Sequence, residues 1–335
     1  MTGTIAVIGA GSWGTALAIL LARKGFKVNL WGRRPKQIKE LLETNENKTY
    51  LPGIKLHDNI EPMNDLGKAV KDVCLVVLSV PSHAVRLMAK ELKKYLDDKT
   101  IVVNTAKGLE LDTKRRLSVV LQEEGFNRIA VLSGPSHAEE VGSSLPTTVV
   151  VASQEREIAE YVQDIFMDPT FRVYTNPDVI GVEFGGALKN IIALATGMAD
   201  GLGLGDNSRA ALMTRGMTEI ARLGVAMGGK VLTFTGLSGI GDLIVTCTSM
   251  YSRNRRAGIQ LGQGKSLSEV LNEIGMVVEG IKTTAAAFEL AQQYDVQMPI
   301  TKAIYQVLYE NKPVTDCVAE LMQRPRTHEV ESENW

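Results

Sequence analysis

Cysteine is scarce in this 335-residue chain: Cys74, Cys247 and Cys317 are odd in number, far apart and without a CxxC pair. Neither a disulfide framework nor a structural zinc site fits that usage, whereas a reducing cytoplasm does. Only four histidines occur, His57, His83, His137 and His328, with no HExxH or other paired spacing, so no metal site is expected. An excess of charge is lacking too, since 37 basic against 38 acidic residues leave a net −1. The chain therefore has no overall electrostatic reason to bind nucleic acid or an anionic membrane. No apolar run approaches about 18 residues, and Met1 to Thr4 lead into Ile5-Ala6-Val7-Ile8 without a basic leader or cleavage pattern. Neither secretion nor an integral membrane segment is expected, which leaves the sequon Asn47-Lys48-Thr49 without a use. Internal repeats and low-complexity blocks are also missing.

At roughly 150 residues per domain the length predicts about two domains. Up to about residue 150, short β-branched runs alternate with amphipathic stretches, the βαβ signature of a parallel sheet covered by helices. The spacing predicts strands over Thr4–Gly9, Lys27–Trp31, Val73–Val80, Thr100–Thr105, Ile129–Leu132 and Thr147–Ala152. After Asn176-Pro177-Asp178 the texture shifts to Ala, Gly, Leu and Met at helical spacing, with helices predicted over Val182–Ala199, Ser208–Met227 and Lys282–Tyr294. The expected architecture is an N-terminal α/β, Rossmann-type doubly wound sheet (1–178), an all-α C-terminal domain (179–322), and a polar tail (323–335) frayed at its end.

The first predicted strand runs into Gly9-Ala10-Gly11-Ser12-Trp13-Gly14 and a small apolar helix. In such a GxGxxG the first glycine makes the tight turn, the second lets a pyrophosphate approach the backbone, and the third packs helix on strand. The strand-turn-helix context points to a dinucleotide; the bland alternative is a glycine-rich turn with no ligand. About 20 residues on, where an NAD site carries an acid, stands Trp31-Gly32-Arg33-Arg34. Two guanidiniums there suit an adenosine 2′-phosphate and favour NADPH over NADH, or else they are a solvated loop or an adenine stack. Gly264-Lys265-Ser266 resembles the end of a P-loop, but the required first glycine falls on Ile259.

Three loops follow predicted strands and open at the carboxyl edge of the sheet: Val80-Pro81-Ser82-His83, Ala106-Lys107-Gly108 and Ser133 to Glu140. Lys107 is either a solvated lysine or a ligand for an anion or carbonyl. The loop with Gly134 and Ser136 can present backbone N–H groups to an anionic substrate, and Ser136 with Glu139 can form a capping box. In the helical domain Gly185, Lys189, Ile192 and Ala193 share one face, where two interior glycines imply close approach of another element. A lysine there is desolvated and suited to exchange a proton with an alcohol oxygen, unless it snorkels from a helix interface. Asp242 lies in a glycine-rich turn, and Ser252-Arg253-Asn254 offers donors for a phosphate dianion. From the residues alone, the chain reads as a nicotinamide oxidoreductase acting on an anionic, phosphorylated carbonyl compound.

Taken together, Gly9 to Gly14, Asn104-Thr105-Ala106-Lys107-Gly108, Ser133 to Ala138, Gly186-Ala187-Leu188-Lys189-Asn190, Gly239-Ile240-Gly241-Asp242-Leu243 and Ser252-Arg253-Asn254 resemble the bacterial NAD(P)-dependent glycerol-3-phosphate dehydrogenases, in the family's order from residue 5 to about 285. The resemblance implies reversible hydride transfer between dihydroxyacetone phosphate and sn-glycerol 3-phosphate, mainly reductive, supplying phospholipid synthesis. It implies Lys189 as proton donor and acceptor, Lys107 as a second lysine on substrate and cofactor, and Asp242 orienting Lys189 or a substrate hydroxyl. Gly134, Ser136, Asp242, Ser252, Arg253 and Asn254 would line the substrate site. Ser12, Trp13, Arg33, Arg34, Lys107, Ala138, Arg253, Val277 and Glu279 would contact the dinucleotide, although Val277 and Glu279 read by themselves as a helix lead-in. The apolar helical domain points to a homodimer. Two rivals are a keto-acid reductase of the same build, which would not need the Ser252-Arg253-Asn254 cluster, and a sensor that binds NADPH without turnover, which would not need two lysines.

Overall fold

The computed structural model describes residues 3–326 and 328–329. Eight strands, β1 (Thr4–Ile8), β2 (Lys27–Trp31), β3 (Ile60–Met63), β4 (Leu75–Leu78), β5 (Ile101–Asn104), β6 (Ile129–Ser133), β7 (Thr147–Ala152) and β8 (Phe171–Asn176), form one sheet in the order β3-β2-β1-β4-β5-β6-β7-β8. The first six follow the doubly wound dinucleotide-binding order, with the switch point between β1 and β4. Strand alternation explains the two layers. Ile5, Val7, Leu75 and Val77 face the helix Ser12–Arg23, while Ala6, Ile8, Val76 and Leu78 face the helices Val85–Leu92 and Leu117–Glu123. Each fully buried Leu, Ile or Val on these faces contributes about 1.5–3 kcal/mol relative to exposure.

Three expectations need correction. The sheet is not wholly parallel, because β7 runs antiparallel to β6. Between them the only helix is the five-residue Ala138–Gly142, too short to carry the chain back along the sheet, so β7 re-enters from the edge where β6 ended. Two strands were not foreseen: β3 contains Pro62, which is tolerated because β3 is an edge strand, and β8 is half-exposed, with only Phe171 and Val173 buried. The capping box of Ser136 and Glu139 does not form: the helix begins at Ala138 with His137 as N-cap, and the Ser136 hydroxyl instead donates to the Gly134 carbonyl at 2.9 Å.

The central helix of the second domain, Val179–Gly201, starts where Asp178 accepts a hydrogen bond from the Gly181 amide. It is buried around nearly its whole circumference and not on one face only. By length and composition it could cross a membrane, as could the stretch Val231–Thr248; the first is 94% buried within the protein and the second 44%. The helix Arg253–Gly262 packs on it at backbone contact. A Cβ at Gly197 or Gly201 would collide with the carbonyls of Arg255 or Ile259, and one at Gly258 or Gly262 with those of Leu194 or Met198. The spacing of four on both helices, Gly197 with Gly201 and Gly258 with Gly262, fixes their register. After the helix Val314–Met322 the residues 323–326 and 328–329 form no regular element; the end of the tail lies outside the described residues.

Candidate active site

Lys189 lies mid-way along the central helix, one turn past two glycines. An added Cβ at Gly185 would stand 2.5 Å from the Ser238 carbonyl oxygen, and one at Gly186 would stand 2.7 Å from Ser133 Oγ. The carboxyl end of β6 and the π-turn Leu237–Gly241 therefore close directly onto the helix beside the lysine. Snorkelling is excluded, since the Lys189 side chain is only 7% exposed. Its ammonium donates to Asp242 Oδ1 and, at 2.6 Å, to Thr246 Oγ1. From the other domain, Lys107 donates to Asp242 Oδ2 at 2.8 Å and to the Gly134 carbonyl at 2.9 Å. One buried carboxylate thus holds two ammonium groups, one from each domain. Asp242 is the first residue of the helix Asp242–Thr248, so Thr246 stands one turn on, and its hydroxyl donates to the Asp242 carbonyl at 2.6 Å.

Burial lowers the basicity of Lys189, Asp242 opposes that, Lys107 reinforces it, and the result is a value of about 8. Burial would raise Asp242, but Lys107 and Lys189 outweigh it and hold the carboxyl below the ordinary carboxylate range. His137 is pushed down to about 4, by burial first and then by the Lys189 charge, so its ring is neutral at physiological pH. Ser133 Oγ and His137 Nε2 are buried beside this cluster without a hydrogen-bond partner among the described residues.

At the nucleotide end each glycine has a distinct reason. Gly9 has φ +121°, and a Cβ there would strike the Ser79 carbonyl; a Cβ at Gly14 would strike the Gly9 carbonyl. Gly11, by contrast, has nothing within 4 Å of where its Cβ would be, so the loop is open on the side a pyrophosphate would approach. The helix Ser12–Arg23 begins with no acidic residue in its first turn and no side-chain cap, leaving its N-terminal amides to an anion. The loop fits a dinucleotide. Trp13 packs half-buried against the sheet core, with Nε1 buried and unpartnered among the described residues. Arg33 and Arg34 stand exposed after β2, and Arg34 hydrogen-bonds the Tyr50 hydroxyl.

The remaining candidates gather between the two domains. Ala138 is buried; Arg253 is exposed and donates to the Val277 carbonyl at 2.9 Å; Glu279 opens the helix Glu279–Gln293 with both carboxylate oxygens on Ser82. Ser252 caps the helix Arg253–Gly262 by accepting from the Arg255 amide. Asn254 donates to Asn190 Oδ1 and accepts from the Gly280 amide, each at 2.9 Å, which leaves one amide hydrogen unspent. Sequence reasoning missed Thr246 altogether, and it placed Ser82 and His137 in loops at the carboxyl edge without giving either a role. Thr246 was legible at i+4 from Asp242, but the partner of Ser82 lies 197 residues away.

With this geometry in view, two family models cover the chain: the N-terminus of NAD-dependent glycerol-3-phosphate dehydrogenase over residues 4–159 and its C-terminus over residues 178–319. The chain belongs to that family. It is 76% identical over 335 residues to "Glycerol-3-phosphate dehydrogenase [NAD(P)+]" of Moorella thermoacetica, covering 100% of both chains. A crystal structure of glycerol-3-phosphate dehydrogenase from Coxiella burnetii superposes with TM-score 0.94 at 42% identity, covering 96% of this chain and 99% of that one. A ketopantoate reductase from Ralstonia eutropha shares the fold alone, at TM-score 0.60 and 16% identity over 96% of this chain and 100% of the other. The build is thus common to reductases of other substrates, and the family membership is what separates them.

Proposed function

We infer that this chain is an NAD(P)-dependent oxidoreductase interconverting dihydroxyacetone phosphate and sn-glycerol 3-phosphate, working mainly in the reductive direction and supplying glycerol 3-phosphate for phospholipid synthesis in the cytoplasm. The observation that carries the reading is the buried Asp242 carboxylate shared by Lys107 and Lys189. A bound nicotinamide dinucleotide supplies or accepts the hydride. Lys189, with its basicity lowered to about 8, is mostly protonated at neutral pH; it gives a proton to the alkoxide forming at C2 and takes it back in the oxidative direction. Lys107 polarises the C2 carbonyl, and Asp242 keeps both ammonium groups aimed while preserving the Lys189 charge.

The substrate phosphate is received by Arg253 and the spare amide hydrogen of Asn254, with Ser252, Gly134 and Ser136 along the same wall. Gly9, Gly11, Ser12, Trp13 and Gly14 take the pyrophosphate and its neighbourhood, with Ala138, Arg253, Val277 and Glu279 closing over the nucleotide from the domain seam. Arg33 and Arg34, exposed and cationic, favour NADPH over NADH. The domain boundary falls at 178/179, between β8 and the central helix, with the tail from 323, and the protein acts as a homodimer. The test is loss of nicotinamide absorbance on adding dihydroxyacetone phosphate, with NADPH and NADH in parallel. Oxidation that requires the phosphorylated ketone and vanishes in Lys189→Ala is expected. Oxidation with unphosphorylated keto acids only, or full turnover by Lys189→Ala, would overturn the reading, and equal rates with both cofactors would overturn the NADPH preference.

A further inference from the structure

Ser82 opens the loop after β4 and is 4% exposed. Its amide donates to Glu279 Oε1 at 3.1 Å and its hydroxyl to Oε2 at 2.7 Å. A carboxylate of the helical domain therefore sits at the N-terminus of the turn Ser82–Ala84, which leads into the helix Val85–Leu92 of the nucleotide domain. An anion is favoured there, and charge-assisted bonds are roughly twice as strong as neutral ones. A third member completes the contact. A Cβ on Gly108 would stand 2.7 Å from Ser82 Cβ, 2.9 Å from Ser82 Oγ and 3.4 Å from Glu279 Oε2. Gly108 directly follows Lys107, so the Ser82–Glu279 pair and the lysine loop meet with no room for a methyl group.

Two other bridges cross the same domain seam. Glu183 of the central helix accepts from the Ser118 amide at 2.8 Å, the Ser118 hydroxyl at 2.6 Å and Arg116 at 2.7 Å, and Glu289 pairs with Lys114 at 2.6 Å. Arg116 and Lys114 belong to the far limb of the same segment that carries Lys107, with Arg116 paired to Leu109, whereas the Ser82–Glu279 contact packs on Gly108 directly beside the lysine. We propose that Ser82 is a positioning residue: by locking onto Glu279 and packing on Gly108, it sets the Lys107 loop so that Lys107 reaches Asp242 and completes the two-lysine site when the domains are closed. This rests on the reading of Lys107 and Lys189 given above.

The experiment compares Ser82→Ala, Gly108→Ala and the double variant in dihydroxyacetone phosphate reduction, each with its melting temperature. Each single variant lowers kcat by about tenfold, with a smaller rise in the KM for NADPH because Glu279 also closes over the nucleotide, and the double variant is no worse than either single one, because both break the same contact. The pH profile supplies a readout that a purely structural role leaves still. Lys189 is faced by Asp242, Thr246, Lys107, Cys247 and His137. Of these Lys107 holds its basicity down, so retraction of Lys107 moves the basic limb of kcat to higher pH. An unchanged kcat and limb in a folded Ser82→Ala, additive losses in the double variant, or a raised KM for NADPH at unaltered kcat would each overturn the proposal. Lys189→Ala runs alongside: if it keeps its turnover the reading of the site fails, and if it is dead while Ser82→Ala is normal, only the positioning role fails.

Discussion

Replacing Asp242 by asparagine keeps the shape of the side chain and removes the charge that both lysines share. An opposite charge at hydrogen-bond distance moves a pKa by about 1–3 units. Asp242 raises Lys189, which stands at about 8, so without it the lysine titrates roughly between 5 and 7. At pH 7.5 a lysine of pKa 8 is roughly three-quarters protonated and one of pKa 6 roughly one-thirtieth, so the reductive rate falls by about 25-fold from protonation alone. The assay is kcat for dihydroxyacetone phosphate reduction from about pH 5.5 to 9.5, read from nicotinamide absorbance. Removing one partner of a buried ion pair also costs about 3–5 kcal/mol, so circular dichroism must show the variant folded at the assay temperature. A variant slower at every pH by one constant factor, with its basic limb still near 8, would refute the reasoning. Asp242 would then shape the site without setting the charge of Lys189.

The unaltered enzyme should show opposite pH trends in its two directions: reduction, which needs the Lys189 ammonium, falls above about pH 8, and oxidation of sn-glycerol 3-phosphate, which needs the free amine, rises through the same range. Parallel trends would remove Lys189 as the proton carrier. Gly258→Ala drives a methyl into the Leu194 carbonyl and should cost about 1–3 kcal/mol or more in urea denaturation, with a rise in the KM for dihydroxyacetone phosphate as Arg253 and Asn254 shift; a neutral effect would mean that the helices part freely. Glu219, buried and accepting from the Ile300 and Thr301 amides, is raised by burial from 4.5 to about 7. Because the folded value lies above the unfolded one, the contribution of Glu219 to stability is fully present below about pH 4.5 and is lost, by about 3 kcal/mol, as pH rises through 7. Glu219→Gln should flatten that slope, and an unaltered slope would assign it to another group.

Local signals carried much of this protein. Gly9, Gly11 and Gly14 sit at fixed offsets after a β-branched run, so the turn, the open approach and the helix contact follow from three residues and their neighbours. The interior glycines at 185 and 186 implied that something approaches Lys189, because glycine in a helix is costly unless its missing side chain makes room. The sequence could not name what approaches: the Ser238 carbonyl and Ser133 hydroxyl come from segments distant along the chain. The antiparallel β7 and the edge strand with Pro62 escaped because pairing direction and edge position are properties of the assembled sheet. The seam contacts of Ser82 with Glu279 and of Lys107 with Asp242 escaped for the same reason, spanning 197 and 135 residues. Residue types and spacing determined which groups could do chemistry on a nicotinamide and a phosphorylated ketone; only the tertiary structure decided that one buried carboxylate would serve two lysines. Charge at that site depends on desolvation and on neighbours a few ångströms away, and both exist only once the domains have closed.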